Sequence, residues 1–361
     1  MTMLSKNKVV LGLSGGVDST AAALLLKEKG LEVIGFYFDV LGSNQAGADA
    51  AEDLARRLDI DFVKMDVSEA FSDIVITDFC KAYACGQTPN PCIVCNPAIK
   101  FKKLLQVAEE KGAYYIATGH YARIAFDEER DTFYVRRGAN EKKDQSYMLY
   151  RLGQDILSRL LFPLGELSDK EMTRDIARNL SLPNAEAADS QEICFIDENK
   201  EHYTQFLERL GYPSVSGDFV DSAGNVLGHH QGLSHYTVGQ RKGLGIALGK
   251  PAFVTGIDAQ KNQVILGDNQ DLFKKEIFSR DNFFASDKVR TYLEDAVAPV
   301  RVLAKIRYSA KTAQARICKM ADGRILTVFD EAQRAPAPGQ SIVFYDGDNV
   351  LGGGFIEGAE N

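Results

Sequence analysis

The chain has 361 residues, 45% of them hydrophobic and 25% charged, ordinary proportions for a globular protein and enough chain for two or three domains. Its net charge of −8 argues against wholesale coating of nucleic acid but leaves room for a local basic face. No apolar run approaches the ~18 residues needed to cross a bilayer, and the N-terminus reads as a first strand rather than a signal peptide, so the expectation is a cytoplasmic protein with no membrane partner.

The predicted elements alternate from the start. Residues 8–13, KVVLGL, form a short apolar strand that runs into SGGVDS. Residues 18–29, DSTAAALLLKEK, follow as a helix closed by Gly30. LEVIGFYF (31–38) predicts the next strand, AGADAAEDLARRL (46–58) a helix and DFVKMDV (61–67) a strand. In TPNPCIVCNP (88–97) the prolines disfavour a long helix, so its two thiols are expected on a shaped loop. FKKLLQVAEEKG (101–112) is a helix and AYYIATG (113–119) a strand. This alternation predicts an α/β domain: a doubly wound parallel sheet with helices on both faces.

Near residue 205 the helical periodicity fades and glycines multiply. HHQGLSHYTVGQRKGLGIALG (229–249) carries turn chemistry and short β segments. In VRVLAKIR (300–307) apolar Val300, Val302, Ala304 and Ile306 alternate with Arg301, Lys305 and Arg307, a strand with one basic face. Residues 288–316 hold seven basic side chains against only Glu294 and Asp295. GQSIVFYDGDNVLGGGFI, from Gly339, reads as a hairpin with an Asp-Gly turn. The expected division is a catalytic domain over 1–205, a small β domain over 206–278 and a β-barrel over 279–361.

Of the six cysteines, Cys80, Cys85, Cys92 and Cys95 fall within sixteen residues, with Cys194 and Cys318 apart. In a reducing compartment such clustering points to metal binding or catalysis and not to a disulfide framework. Cys80, among Ile76, Phe79 and Tyr83, reads as core, and Cys85 matches no motif. Cys194 lies between Ile193 and Phe195, flanks that suit a buried cysteine.

SGGVDS (14–19) carries the most chemistry. Gly15 and Gly16 allow close backbone approach, amide N–H groups and a helix N-terminus face an anion, and Ser14 and Ser19 add hydroxyls. It lacks the lysine of the GxxxxGK[ST] loop and is not GxGxxG. The motif resembles the pyrophosphate loop of the ATP-pyrophosphatase superfamily, whose members cleave ATP between the α and β phosphates and adenylate a carbonyl oxygen. That likeness implies nucleotide contacts from Gly12, Leu13, Ser14, Gly15, Gly16, Val17, Asp18 and Ser19, with Asp18 helping to hold Mg2+.

The further motifs GQTPNPCIVCNPAIKF, ATGHYAR, KDQSYMLY, FPLGEL, DSQEICFI, HQGLSHYTVGQRKGLGI and RAPAPGQSIVFYDGDNVLGGG follow in that order. Together they resemble the tRNA-specific 2-thiouridylase family over essentially the whole chain. The resemblance implies an ATP-pyrophosphatase domain, a central β domain and a C-terminal β-barrel, acting with ATP and Mg2+ on the wobble uridine of tRNA and drawing sulfur from a protein donor, a cysteine desulfurase or relay protein. It implies that Cys194 receives a persulfide and Cys95 is the nucleophile. It places Phe38 and Gly119 at the nucleotide, and Asn90, Pro91, Cys92, His120, Lys143, Asp144, Gln145, Arg307, Tyr308 and Gln340 at the tRNA. Arg241 and Lys242 would add phosphate contacts.

The chain departs from the family at Cys92, where an aspartate is usual. Cys92, Cys95 and Cys194 could therefore ligate a 4Fe–4S cluster instead of working as a metal-free pair, and C-x-x-C would also suit zinc. A small-molecule adenylating ligase of the same superfamily and a non-catalytic RNA-binding protein are the rival readings. Neither needs Cys95 and Cys194 together with an intact SGGVDS loop.

Overall fold

Val9, Val10 and Leu11 are completely buried in the first strand, β1 (Ser5–Gly12), as expected of a strand covered on both faces. The computed structural model describes residues 4–42, 44–169, 193–197, 199–294 and 298–358. The chain packs as two units, the first from 1–75, 92–191 and 348–351, the second from 76–91, 192–347 and 352–361.

In the first unit β1 is joined by β2 (Glu32–Asp39), β3 (Asp61–Asp66), β4 (Ala113–Ala117) and the short β7 (Leu160–Leu161). The order is β3-β2-β1-β4-β7 and each adjacent pair is parallel. Val9 and Leu11 share a cluster with Ala22 and Leu26 of the helix Val17–Glu28 and Leu54 of the helix Gln45–Arg57. The helix Phe101–Glu110 packs on β1 and β4. Gly30 ends the first helix at φ +78°, with Leu31 N–H donating to Leu26 O at 3.1 Å, so the predicted C-cap is real. The chain runs from β1 outward through β2 and β3, then returns to place β4 on the other side of β1. The crevice beyond the carboxyl ends of β1 and β4 is the switch point at which such sheets bind ligands. A hairpin of β5 (Ala122–Asp127) and β6 (Thr132–Arg137) follows β4, and Arg136 of β6 pairs with Asn349.

One expectation fails. The C-x-x-C segment is helical: Pro91–Cys95 is α-helix, Asn96–Lys100 a wide π turn, and the helix Phe101–Glu110 follows directly. Pro91 opens the first turn, where its fixed φ suits a helix and its missing N–H is not needed. Pro97 falls in the π turn, where Phe101 N–H reaches Asn96 O in place of the usual register. The wide turn absorbs the proline that the sequence reading took as a helix breaker.

The second unit holds two β structures. A four-stranded sheet contains β8 (Gly217–Val220), β9 (Val226–His230), β10 (Phe253–Asp258) and β11 (Gln263–Gly267), around Phe219, Val254 and Val264. Beyond it are β12 (Phe273–Phe284), β13 (Val300–Lys305), β14 (Ala313–Lys319), β15 (Ile325–Arg334), β16 (Ser341–Asp346) and β17 (Asn349–Ile356). They run in the order β12-β15-β14-β13-β16-β17, and β17 pairs back onto β12 to close a six-stranded barrel. Val302, Ala304 and Ile306 are buried and Arg301 is exposed, as the alternation predicts. No helix among the described residues is long and apolar enough to cross a membrane.

Candidate active site and RNA-contacting residues

Gly12 ends β1, and Leu13 is buried with its N–H donated to Phe36 O at 2.8 Å, which fixes where the loop leaves the sheet. Gly15 takes φ +77° against Ala50 and Ala51, a conformation that disfavours any side chain there. Ser19 Oγ donates to Gly16 O at 2.9 Å and accepts from Ser14 N–H at 3.3 Å. Gly16 is the N-cap of the helix that begins at Val17, and it has no side chain to occupy the amides of the first turn. Those amides, with the Ser14 hydroxyl, have the geometry that suits an anion at a helix N-terminus.

Asp18 is half-buried, and the Tyr121 hydroxyl donates to its Oδ1 at 2.8 Å. Burial pushes its carboxyl above the ordinary range, against the opposing pull of the Tyr121 bond and the Lys143 charge. Mg2+ in nucleotide sites keeps waters and phosphate oxygens and needs only about one or two protein carboxylates, so Asp18 beside this glycine-rich loop fits that ion. At Gly119 an added Cβ would stand 3.1 Å from Asp18 C and O and 3.2 Å from Ser19 N, so the end of β4 and the start of the helix meet backbone to backbone. Phe38 is partly buried beside the end of β1, its ring tilted on Phe36 at 4.3 Å.

His120 follows Gly119. Its Nδ1 shares a 2.7 Å hydrogen bond with Thr118 Oγ1, and its ring stacks on Phe101 at 6.0 Å. Burial and the Lys100 cation hold its pKa well below the ordinary value, so the imidazole is neutral at pH 7. Cys95 is half-buried at the end of its short helix, and Cys92, one turn earlier, is exposed. Burial pushes the Cys95 thiol up, the neighbouring Cys92 adds to this, and the Lys100 charge and backbone N–H pull it down. Asn96, 1% exposed, donates Nδ2–H to Met148 O at 2.9 Å.

Of the three residues expected at the tRNA in KDQS, two have work inside the fold. Asp144 accepts from Gly138 N–H and Ser146 N–H, both at 3.1 Å, and from the Ser146 hydroxyl at 2.9 Å. Gln145 accepts from Tyr121 N–H at 2.9 Å. Lys143 directs its charge toward Asp18. Tyr121, Thr118 and Lys100 were missed from the sequence, although all three sit inside or beside the motifs ATGHYAR and NPAIKF.

In the second unit the segment before Pro91 is tied to the barrel. Thr88 N–H donates to Pro338 O at 2.8 Å, and Gln340 Nε2–H donates to Thr88 O at 2.7 Å. The Thr88 and Thr237 hydroxyls lie 3.1 Å apart. Gln340 is thus brought to the segment that carries Asn90 and Pro91, next to the turn holding Arg241 and Lys242. Arg241 and Arg334 lie 6.0 and 5.6 Å from the Phe253 ring centre. Arg301 faces Arg316 directly across β13 and β14, Arg307 Nη1–H donates to Arg334 O at 3.3 Å, and Tyr308 is exposed beside Lys305. Cys194 is exposed on a turn, contrary to what its flanks suggest, while Phe195 beside it is buried against Phe79 and Phe206. Residues 189–192 of DSQEICFI, and Asp295 of the basic tract, lie outside the described residues. Cys80 is buried, and burial lifts its thiol to about 11. Among the described residues no group of three or more His, Cys, Asp and Glu side chains is gathered to hold a metal ion.

Three family models match in succession: a tRNA methyl transferase HUP domain over residues 7–198, a tRNA methyl transferase PRC-barrel domain over 204–268 and an aminomethyltransferase beta-barrel domain over 280–356. The tRNA-specific 2-thiouridylase MnmA of Acetivibrio thermocellus is 45% identical over 369 residues, covering 98% of this chain and 100% of that protein. MnmA 2 of Caldanaerobacter subterraneus subsp. tengcongensis is 44% identical over 370 residues, covering 98% and 99%. MnmA of Clostridium botulinum strain Alaska E43 is 45% identical over 367 residues with the same coverage. A looser likeness, to the U34-tRNA thiolase NcsA of Methanococcus maripaludis, has 22% identity and a TM-score of 0.34 over 57% of this chain and 68% of that one, and carries no argument. Near-half identity along the full length, on a parallel sheet whose first loop is SGGVDS and a closed C-terminal barrel, leaves one assignment: the chain belongs to the tRNA-specific 2-thiouridylase family.

Proposed function

We propose that this protein is an ATP-dependent sulfurtransferase that adenylates the 2-carbonyl oxygen of the wobble uridine of tRNA and replaces it with sulfur, releasing pyrophosphate and AMP. The observation that carries this reading is the SGGVDS loop, with a glycine N-cap, Asp18 and Gly119 converging at the sheet's switch point. Mg2+, when bound, would neutralise charge on the phosphates. The loop amides hold the phosphates, Asp18 holds the ion, and the uridine oxygen displaces pyrophosphate from the α phosphorus.

Cys194 takes a persulfide sulfur from a protein donor, a cysteine desulfurase or relay protein. The terminal sulfur attacks C2 of the base and AMP leaves with the oxygen. The Cys95 thiolate then attacks Cys194 Sγ, which frees the sulfur on the base and leaves a Cys95–Cys194 disulfide. A dithiol reductant restores both thiols with two electrons. Lys100 stabilises the Cys95 thiolate through its charge and its backbone N–H. His120, neutral, offers a hydrogen bond without competing for phosphate. A 4Fe–4S cluster on Cys92, Cys95 and Cys194 is the alternative sulfur carrier, and iron content of anaerobically prepared protein separates the two routes. Arg301 and Arg316 face each other across β13 and β14 of the barrel, Arg316 lying 3.6 Å from Asp330, and this placing of two guanidinium groups on one face supports a phosphate-contacting surface. The protein would act in the cytoplasm, with the catalytic segment over 1–205, the small β segment over 206–278 and the barrel segment over 279–361, a division along the sequence that the packing units cross.

The test is pyrophosphate and AMP release with and without tRNA. Asp18→Ala should abolish tRNA-dependent AMP formation while the fold survives. AMP formation at the parent rate would overturn the assignment, and release independent of tRNA would favour a small-molecule ligase.

A further inference from the structure

Asp18 belongs to the nucleotide loop, yet the side chain that fixes it comes from the segment after β4. The Tyr121 hydroxyl donates to Asp18 Oδ1 at 2.8 Å. The Tyr121 ring is 3% exposed and packs in the same cluster as Val9, Leu11 and Ala22, so it has no room to swing. The backbone of Tyr121 is held on both sides by Gln145. Gln145 Oε1 accepts from Tyr121 N–H at 2.9 Å, and Gln145 N–H donates to Tyr121 O at 2.9 Å. Asp144, 8% exposed, anchors the same turn through Gly138 and Ser146. A carboxylate rotates readily about its last torsion. One phenol donor on Oδ1 sets its plane and leaves Oδ2 for a cation.

We propose that Tyr121 is a positioning residue for Asp18 and that Gln145 acts through it, so that the 143–146 turn sets the geometry of the magnesium–nucleotide site before any RNA is bound. This rests on the reading of Asp18 as a magnesium ligand. It gives Gln145 a role distinct from RNA contact, and the two roles separate in protein free of tRNA.

The experiment is calorimetric titration of the tRNA-free full chain with Mg2+ and α,β-methylene-ATP. Tyr121→Phe keeps the buried ring and removes only the donor. A hydrogen bond to a charged group is worth enough that its loss should weaken binding about tenfold or more. The melting temperature should stay near that of the parent. Gln145→Leu should weaken binding in the same direction, and the double variant should bind no worse than Tyr121→Phe, because both act on one bond. Parent affinity in Tyr121→Phe overturns the positioning role, and additive losses overturn the link through Gln145. Asp18→Ala is the control: if it binds like the parent, the magnesium reading itself has failed, whereas if it alone is weak, only the present inference has.

Discussion

Gly119→Ala adds one methyl group where two backbones meet. The glycine's φ lies outside the left-handed region, so alanine suits the backbone and only the contacts oppose it. The new Cβ would lie 3.1 Å from Asp18 C and O and 3.2 Å from Ser19 N, inside ordinary van der Waals distance. None of these atoms belongs to a flexible side chain. The strand end or the helix start must therefore shift by a few tenths of an ångström, and the helix start carries the amides proposed to hold the phosphates. Overpacking of this kind costs about 1–3 kcal/mol. Falling on the loop, it converts to about a five- to hundredfold loss of affinity for Mg2+ and α,β-methylene-ATP. Gly112→Ala is the matched control. Its φ is +67° with nothing within 4 Å of the new Cβ, so it should lose about 1 kcal/mol of stability through backbone strain and bind nucleotide normally. Calorimetry and thermal melting of both variants make the test. Parent affinity in Gly119→Ala, or an equal loss in Gly112→Ala, would refute the reasoning.

Cys92→Asp restores the commoner family residue and should keep tRNA thiolation. Activity that falls together with bound iron in anaerobically prepared protein would instead establish a cluster on Cys92, Cys95 and Cys194. His120 has a depressed folded pKa, so its contribution to stability is present above about pH 6.5 and is lost as pH falls through the folded value. His120→Gln should flatten the decline in melting temperature below pH 6.5, and parallel profiles would contradict this. Affinity for tRNA should fall with salt at a slope of about −0.7 to −0.9 per phosphate neutralised, and Arg307→Ala should remove about one contact from it. A slope unchanged by Arg307→Ala would take that residue off the RNA surface.

The strand–loop–helix unit at SGGVDS was legible because its signals are local: an apolar run, two glycines and a helix former ended by Gly30. The basic strand was legible for the same reason, since alternation along VRVLAKIR maps directly onto Val302, Ala304 and Ile306 inside and Arg301 outside. The helix through Cys92 and Cys95 was not, because proline statistics assume a regular α register and the π turn at Asn96–Lys100 evades it. Tyr121 and Lys100 were not, because their roles arise from residues far away in sequence: Asp18 for the first, His120 for the second. The assignment of 76–91 to the second unit has no local signal at all.

That last division bears on how the protein is made. The first unit includes residues 348–351, where Asp348 lies 3.6 Å from Arg123 and 3.5 Å from Arg136. A ribosome releases residues 1–191 long before those four. During translation the nucleotide-binding unit must therefore wait, its β5–β6 hairpin without the Asp348 partner, until nearly all of the barrel has emerged. No single cut yields either unit whole, and an expression fragment ending near residue 205 would lack a piece of the domain it was meant to isolate.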